Sequence, residues 1–439
     1  MPAAGKKLHT IQLTAVIFLT VSGGPYGLEP LLSYAGTNGA LLLLLITPIL
    51  WDIPTILTVM ELNSMMPITG GYYQWVKKAM GLRWAFYEGW WTWLYTFVDL
   101  AIYPVLFVTY ASYIFPSIAA WQWPICLLII WTSAFLNILG IVPVGKVSLT
   151  LGVIVILPFV ILAGYYFFHH STLHLPTLAI HKPVSDVSMG LYTILWNFIG
   201  WDNATTYAEE VSKPVLSYLK SLLTAFVCIY LLYLITILIC SVSGMNVDQL
   251  SNEGFPALGN FIGGKWLGNL IAVGGMASAL GLYSAVLLSV SRVPEVMAQD
   301  GLLPKKLTTM HKRFNTPYVS ILACSVVVSL MVFWAFEELL VIDITLYGAA
   351  LLLEFISLII FRKKMPNLER PFRINIGTRG LYFFFIIPVC IYFLAIWAAL
   401  RHSEKTLEAL LFALGALITG EIIWQFIKRT AQKPINTSV

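Results

Sequence analysis

VSGGPYGLEPLLSY, residues 21–34, is the stretch from which the rest of the chain is read. It interrupts an apolar segment that begins near Ile11. Ser22-Gly23-Gly24-Pro25 makes poor helix: glycine loses the most backbone entropy there, and proline removes a donor and clashes with the preceding turn. Tyr26 and Glu29 follow at a depth where hydrocarbon penalises polar groups. Inside a bilayer, broken backbone is tolerated only where protein buries it or where it lines a wet cavity. The break is therefore either a kink used for packing or a half-helix junction that holds a solute.

The composition requires a membrane. Of 439 residues, 59% are hydrophobic and 11% charged, and the mean hydropathy is +0.82. A soluble domain carries about a quarter charged residues. Fifteen Trp and 21 Tyr suit interfacial belts. The opening MPAAGKKLHT leads straight into the first span and reads as no cleavable signal. The net charge of +5 sits in loops between spans, which does not suggest a nucleic-acid partner. The five cysteines (Cys126, Cys228, Cys240, Cys324, Cys390) fall in or beside apolar segments without Cys-x-x-Cys or Cys/His spacing. They read as small hydrophobes rather than a disulfide framework or metal site.

Twelve spans are expected, at 11–36, 40–66, 83–115, 122–139, 147–168, 188–210, 216–243, 266–290, 318–336, 341–361, 380–400 and 406–428. Between the second and third, residues 68–80 (ITGGYYQWVKKAM) are amphipathic and aromatic, as in a segment lying on the membrane surface. With the N-terminus cytoplasmic, only Lys182, Lys265, Arg401 and Lys405 of the 26 basic residues fall outside. The positive-inside rule therefore places both termini, residues 1–10 and 429–439, in the cytoplasm. The outer loop 169–187 carries His169, His170, His174 and His181, read as a solvated loop or a pH or metal sensor.

Span six repeats the theme of span one. LWNFIGWDNATTYAEE, residues 195–210, breaks an apolar run with Asn197, Gly200, Asp202 and Asn203. Five spans separate the two breaks. An odd number inverts the second unit, so residues 11–168 and 188–361 pair as inverted repeats, with 380–428 outside them. Span eight is rich in small residues around Ser278, for close packing or a cavity wall.

Acids lie deep in this pattern: Glu29, Asp52, Asp99, Asp202, Asp343 and Glu354. Each is costly if charged and facing lipid, so each should face the interior. Glu61, Glu88, Glu209 and Glu210 are expected near the interface, where the cost is small. No basic residue sits deep enough to pair with Asp99 or Asp202. These acids bind a cationic substrate, carry a coupling proton, or stabilise broken helix ends. Asp202, inside the second break, is the first choice for function; Glu29 opens the second half of span one and can cap it. No phosphate loop, His-Glu-x-x-His pair or Gly-x-Ser-x-Gly elbow is present, so an enzyme is not expected. No cofactor is implied.

Three motifs resemble the amino acid–polyamine–organocation (APC) superfamily. They are VSGGPYG at 21–27, ELNSMMPITGGYYQW at 61–75, and SRVPEVMAQDGLLPKKLTTMHKRFNTP at 291–317. The resemblance covers residues 10–320. Its first motif, VDLAIYPVLF at 98–107 and WNFIGWDNATTYAEEV at 196–211 are similar to polyamine-uptake and L-type amino acid carriers. The resemblance implies an all-α, LeuT-like fold of twelve transmembrane helices, a 5+5 inverted repeat with helices 1 and 6 broken. It implies a substrate site between spans 1, 3, 6 and 8, where a substrate carboxylate meets free N–H groups at Ser22, Gly23 and Gly24. Trp201 closes over that site, and Tyr103 helps shape it, with Tyr26, Asp99, Asn197, Asp202 and Ser278 around them. Glu29, Asp99 and Asp202 are the candidates for coupling or gating.

Two departures from the family pattern stand out. The lysine that proton-coupled relatives carry in span five is missing from SLTLGVIVILPF at 148–159, and Lys146 lies too near the inner end. The tail of span six reads Glu209-Glu210-Val211-Ser212-Lys213-Pro214, where relatives run into Asn-Pro and an arginine. The expected function is a secondary active transporter of an amino acid or polyamine in the plasma or inner membrane, working by alternating access with proton coupling. An amino acid exchanger and a non-transporting nutrient sensor are the alternatives.

Overall fold

The structure, a computed structural model, describes residues 7–169, 178, 182–332 and 336–431. Nine helices among the described residues are long and apolar enough to cross a membrane, and Thr10–Val21 and Tyr318–Met331 are shorter apolar helices. Large apolar side chains such as Leu128, Phe135, Val153, Leu223, Val227 and Leu231 project outward from these helices, as lipid-facing surface does.

The chain opens with α1 (Thr10–Val21), which ends at the break, and α2 (Glu29–Thr47), which begins after it. Spans one and two are not separated by a loop. Gly36, at φ 68°, kinks α2 internally, so its first residues finish span one and the rest begin span two. A wide π-helical turn, Pro48–Asp52, then leads into α3 (Ile53–Met65). After α4 (Gly71–Met80) comes α5 (Leu82–Ile114), 33 residues long. Next are α6 (Gln122–Ile138), α7 (Ile141–His169) and α8 (Val184–Trp196). Of the four loop histidines, His170, His174 and His181 lie outside the described residues.

Beyond the second break, residues Asn203–Glu210 form 3-10 helix rather than the α-helix expected for the rest of span six. Thr205 and Thr206 explain the tighter coil. Their hydroxyls bond back to the carbonyls of Asp202 and Asn203 at 2.7 and 2.9 Å, competing with the α-helical pattern. The chain continues through α9 (Pro214–Val242), α10 (Val247–Glu253), α11 (Phe255–Gly263), α12 (Lys265–Val290) and α13 (Arg292–Gln299). It closes with α14 (Tyr318–Met331), α15 (Phe336–Lys364), α16 (Thr378–His402) and α17 (Glu404–Ala431).

At the centre, α5 packs against both α12 and α15, α1 against α7, α9 and α12, and α2 against α8. The small residues of α12 are packing devices. A Cβ on Gly274 would fall 2.1 Å from the Tyr26 hydroxyl, and one on Gly275 2.5 Å from the Tyr110 ring.

Two expectations about the basic end of the bundle change. The amphipathic stretch at 68–80 does not offer its aromatic face to lipid. Tyr72, Tyr73 and Trp75 of α4 are buried against protein, and Gly71, at φ +36°, sits so close to Thr205 that a Cβ would lie 2.1 Å from its hydroxyl. Glu61 and Glu88, expected near the interface, are both 0% exposed. Glu61 is paired with Arg362, whose Nε reaches Oε1 at 2.8 Å, and with Arg370 at 3.5 Å. Glu88 has no such partner.

Candidate binding site between the two helix breaks

The first break holds its own amides. Ser22 and Gly23 both donate their N–H to the Phe18 carbonyl at 3.0 Å, and Gly24 donates to Ser22 Oγ at 3.0 Å. Gly27 donates to Glu29 Oε2 at 2.7 Å, Leu28 donates to the Pro25 carbonyl at 3.0 Å, and Pro25 has no N–H. The three amides expected to be free for a substrate carboxylate are thus already engaged. The anion at the start of α2 is Glu29 itself, placed where the helix dipole favours it. Its second oxygen accepts from the Tyr110 hydroxyl at 2.9 Å and the Phe255 N–H at 3.4 Å. Glu29 therefore joins α2, α5 and α11 as a cap. Tyr26, its hydroxyl on the Ile271 carbonyl at 2.7 Å, packs edge-on against Tyr110 and Phe159 beside it.

The two breaks meet. Asn197 Nδ2 donates to the Gly27 carbonyl at 3.1 Å. The Tyr233 hydroxyl bridges Ser22 Oγ at 2.6 Å and the Asn197 carbonyl at 3.2 Å. Gly27 and Gly200 both have positive φ, and a Cβ on Gly27 would lie 2.7 Å from the Trp196 ring. Glycine at Gly27 is what lets α8 approach this closely.

The deep acids lie near these breaks, and Asp99, Asp52 and Asp202 each accept from a hydroxyl or an indole. Asp99 of α5 accepts from Tyr103, one turn along the same helix, at 2.5 Å and from Trp196 Nε1 at 3.1 Å. Asp343 of α15 interacts electrostatically with Asp99 and faces the same indole. Asp202 accepts from Tyr347 of α15 at 3.3 Å. Tyr347 packs edge-on against Tyr95 at 5.3 Å, and Tyr95 donates to Asn203 Oδ1 at 3.1 Å. Asp52, on the π-helical turn, accepts from Trp201 Nε1 at 3.1 Å. Buried carboxylates normally pair with a base. No basic side chain is among the hydrogen-bond partners of Asp99 or Asp202.

The structure therefore gathers Ser22, Gly23, Gly24, Asn197, Asp99 and Tyr103 around one junction, with Asp202 one layer away. Ser278 of α12 lies against Gly23, its hydroxyl buried without a hydrogen bond. Trp201 points elsewhere: its indole is held by Asp52 and its ring packs on Phe226. Trp196 occupies the position against Asp99 and Tyr103 instead. Sequence reasoning passed over Trp196, Tyr110, Tyr233 and Tyr347. One signal was present for the last: Asp343 and Tyr347 on α15 repeat the four-residue spacing of Asp99 and Tyr103 on α5.

Polar contacts close the basic end. Arg292 pairs with Glu210 at 3.2 Å, Lys77 with Asp300 at 2.6 Å, and Tyr73 also donates to Asp300 at 2.6 Å. The altered tail of span six thus keeps an ion pair through Glu210. Beside it opens a cleft of about 770 Å³ lined by Lys7, Glu209, Glu210, Glu295 and Thr316, among others.

Comparison with known proteins identifies the family and relatives of the chain. The sequence model of the amino acid permease family matches residues 8–419. The chain is 31% identical to the polyamine transporter RMV1 of Arabidopsis thaliana, over 98% of this chain and 86% of that protein. It is also 31% identical to the polyamine transporter PUT1 of Oryza sativa subsp. japonica, over 99% of this chain and 80% of that one. The serine/threonine exchanger SteT of Bacillus subtilis is 23% identical, over 84% and 86%.

Proposed function

This chain belongs to the amino acid permease family and is an integral membrane protein, and from that premise we propose that it transports a polyamine. The observation that carries this reading is the pairing pattern at the junction. Asp99 is buried with hydroxyl and indole donors, and Asp202 with the Tyr347 hydroxyl, nearby backbone N–H groups and Glu354, with no basic side chain among these partners, while the amides of residues 22–24 are taken by the protein. An ammonium group supplies the charge that these acids lack, whereas a carboxylate finds the amides of residues 22–24 already engaged. One amine of the substrate sits between Asp99, Asp343 and Tyr103, and another beside Asp202 and Tyr347. Trp196 offers its ring face to the chain between them.

In this reading, residues 11–168 and 188–361 form the inverted repeats and rock about the two breaks to alternate access, with 380–428 outside them. Both termini are cytoplasmic, and a proton accompanies the substrate. The second reading, a neutral amino acid exchanger, draws on the unpartnered Ser278 hydroxyl beside Gly23, which is a donor for a carboxylate.

Thermal unfolding of the purified protein with added ligand separates the two. A ligand at a hundred times its Kd adds about 2.7 kcal/mol to stability. Spermidine or putrescine should raise the melting temperature, with serine and leucine without effect. The reverse order would favour the exchanger.

A further inference from the structure

A second group of acids lies beyond Asp202, at the layer where α4, α5, α15 and the 3-10 segment meet. Glu88 of α5 and Glu354 of α15 are 0% and 1% exposed. Neither oxygen of Glu88 has a hydrogen bond, nor does Oε2 of Glu354. Glu354 is within hydrogen-bonding range of Asp202. The Tyr72 hydroxyl, on a side chain 0% exposed, also has no partner, and it faces all three carboxyl groups.

The placement is regular. Glu88 precedes Asp99 by eleven residues on α5, and Glu354 follows Asp343 by eleven on α15. Eleven residues are about three helical turns, so each pair shares a face about 16 Å apart along its axis. Two acidic layers therefore cross the α5–α15 interface. In the Asp99–Asp343 layer Asp99 is bonded by Tyr103 and Trp196, while both Asp343 oxygens lack a hydrogen bond. The Glu88–Glu354 layer has unfilled oxygens and one idle hydroxyl.

We infer that Glu88 and Glu354 form a proton site, separate from the substrate acids, which carries the coupling proton through the transport cycle. This rests on the transporter reading above. The groups facing Glu88 are Tyr72 from α4, Asp202 from the second break and Glu354 from α15, with Tyr95 and Tyr347 next to Asp202. Among the described residues, no ion pair reaches Glu88 from the other helices packed on α5. Carboxylates crowded without a cation repel each other, and a proton on one oxygen, hydrogen-bonded to the next, relieves the repulsion. The step makes and breaks only an O–H bond: a proton taken from water on one side is given to water on the other. Asp202 links the layers through Glu354, so an amine arriving at Asp202 changes what the Glu88–Glu354 pair must balance.

The test uses purified protein in proteoliposomes, with spermidine as the probe and two readouts. Wild type should show spermidine counterflow and also accumulate it under an imposed pH gradient. Glu88→Gln should keep counterflow within about twofold of wild type, while gradient-driven accumulation falls about tenfold or more. Tyr72→Phe, which keeps the ring, should weaken accumulation in the same selective way and serves if Glu88→Gln does not fold. Accumulation unchanged in the folded variants, or lost in step with counterflow, would overturn the assignment. Wild-type counterflow without any effect of the pH gradient also overturns it but leaves the transporter reading intact. Absence of wild-type counterflow removes that reading and the proton site with it.

Discussion

Trp196 donates its indole N–H to Oδ1 of Asp99 at 3.1 Å, tying the last residue of α8 to the middle of α5. In the proposed reading, an amine bound at Asp99 acts on the second break through this bond. Removing a partner of a desolvated charge costs about 2 kcal/mol or more, close to thirtyfold. Asp99→Asn should therefore lower kcat/KM for spermidine by about thirtyfold. Trp196→Phe, which keeps most of the ring and loses the donor, should cost about tenfold or less. Radiotracer uptake by the two variants at matched expression measures both.

Glu29 should behave as a structural acid. It accepts from Gly27, Tyr110 and Phe255 at once, so Glu29→Ala strands three buried donors. Hydrogen bonds to a charged group are worth about 1.5–3 kcal/mol each, and the melting temperature should fall clearly. Glu29→Gln, which keeps an acceptor, should recover much of that loss. A Glu29→Ala protein as stable as wild type, with only its substrate affinity changed, would place Glu29 among the binding acids instead.

The pair Arg362–Glu61 predicts a different pattern. Both side chains are buried, and Glu61 also takes the Ile374 N–H at 2.9 Å. Arg362→Met leaves the buried carboxylate with only the longer Arg370 contact and the Ile374 N–H, and should cost up to about 3–5 kcal/mol. Adding Glu61→Gln should restore part of it. A thermal-denaturation series on the two single variants and the double variant gives the coupling directly.

Gly71→Ala tests the seating of α4. The residue holds positive φ, and an added Cβ would overlap Thr205. The substitution should lower folded yield, measured by size-exclusion chromatography, and Thr205→Ser should not rescue it, because the Thr205 hydroxyl and backbone remain in the way.

Much of this was legible in the sequence. The glycine-proline break at residues 22–25 and the polar run from Asn197 to Asn203 are read directly, because helix cannot continue through them. The burial of Asp99 and Asp202 also follows from counting residues along a span. What the sequence hides is direction. Trp196 and Trp201 are equivalent by composition, and only the turn of the chain at Gly200 sends one to Asp99 and the other to Asp52. The amides of residues 22–24 looked free because local sequence does not reveal that two of them share the Phe18 carbonyl. The burial of Glu61 and Glu88 was hidden because chain position gives only depth, while burial comes from α4 and α15 packing over the helices that carry them.

The central claim is that the junction binds a cation through Asp99 and Asp202. Competition for spermidine uptake in proteoliposomes tests it most directly. Putrescine and spermine should compete, serine and leucine should not, and Asp202→Asn should abolish uptake while the protein stays folded. Uptake that serine or leucine suppresses, or that survives in Asp202→Asn, would contradict the account.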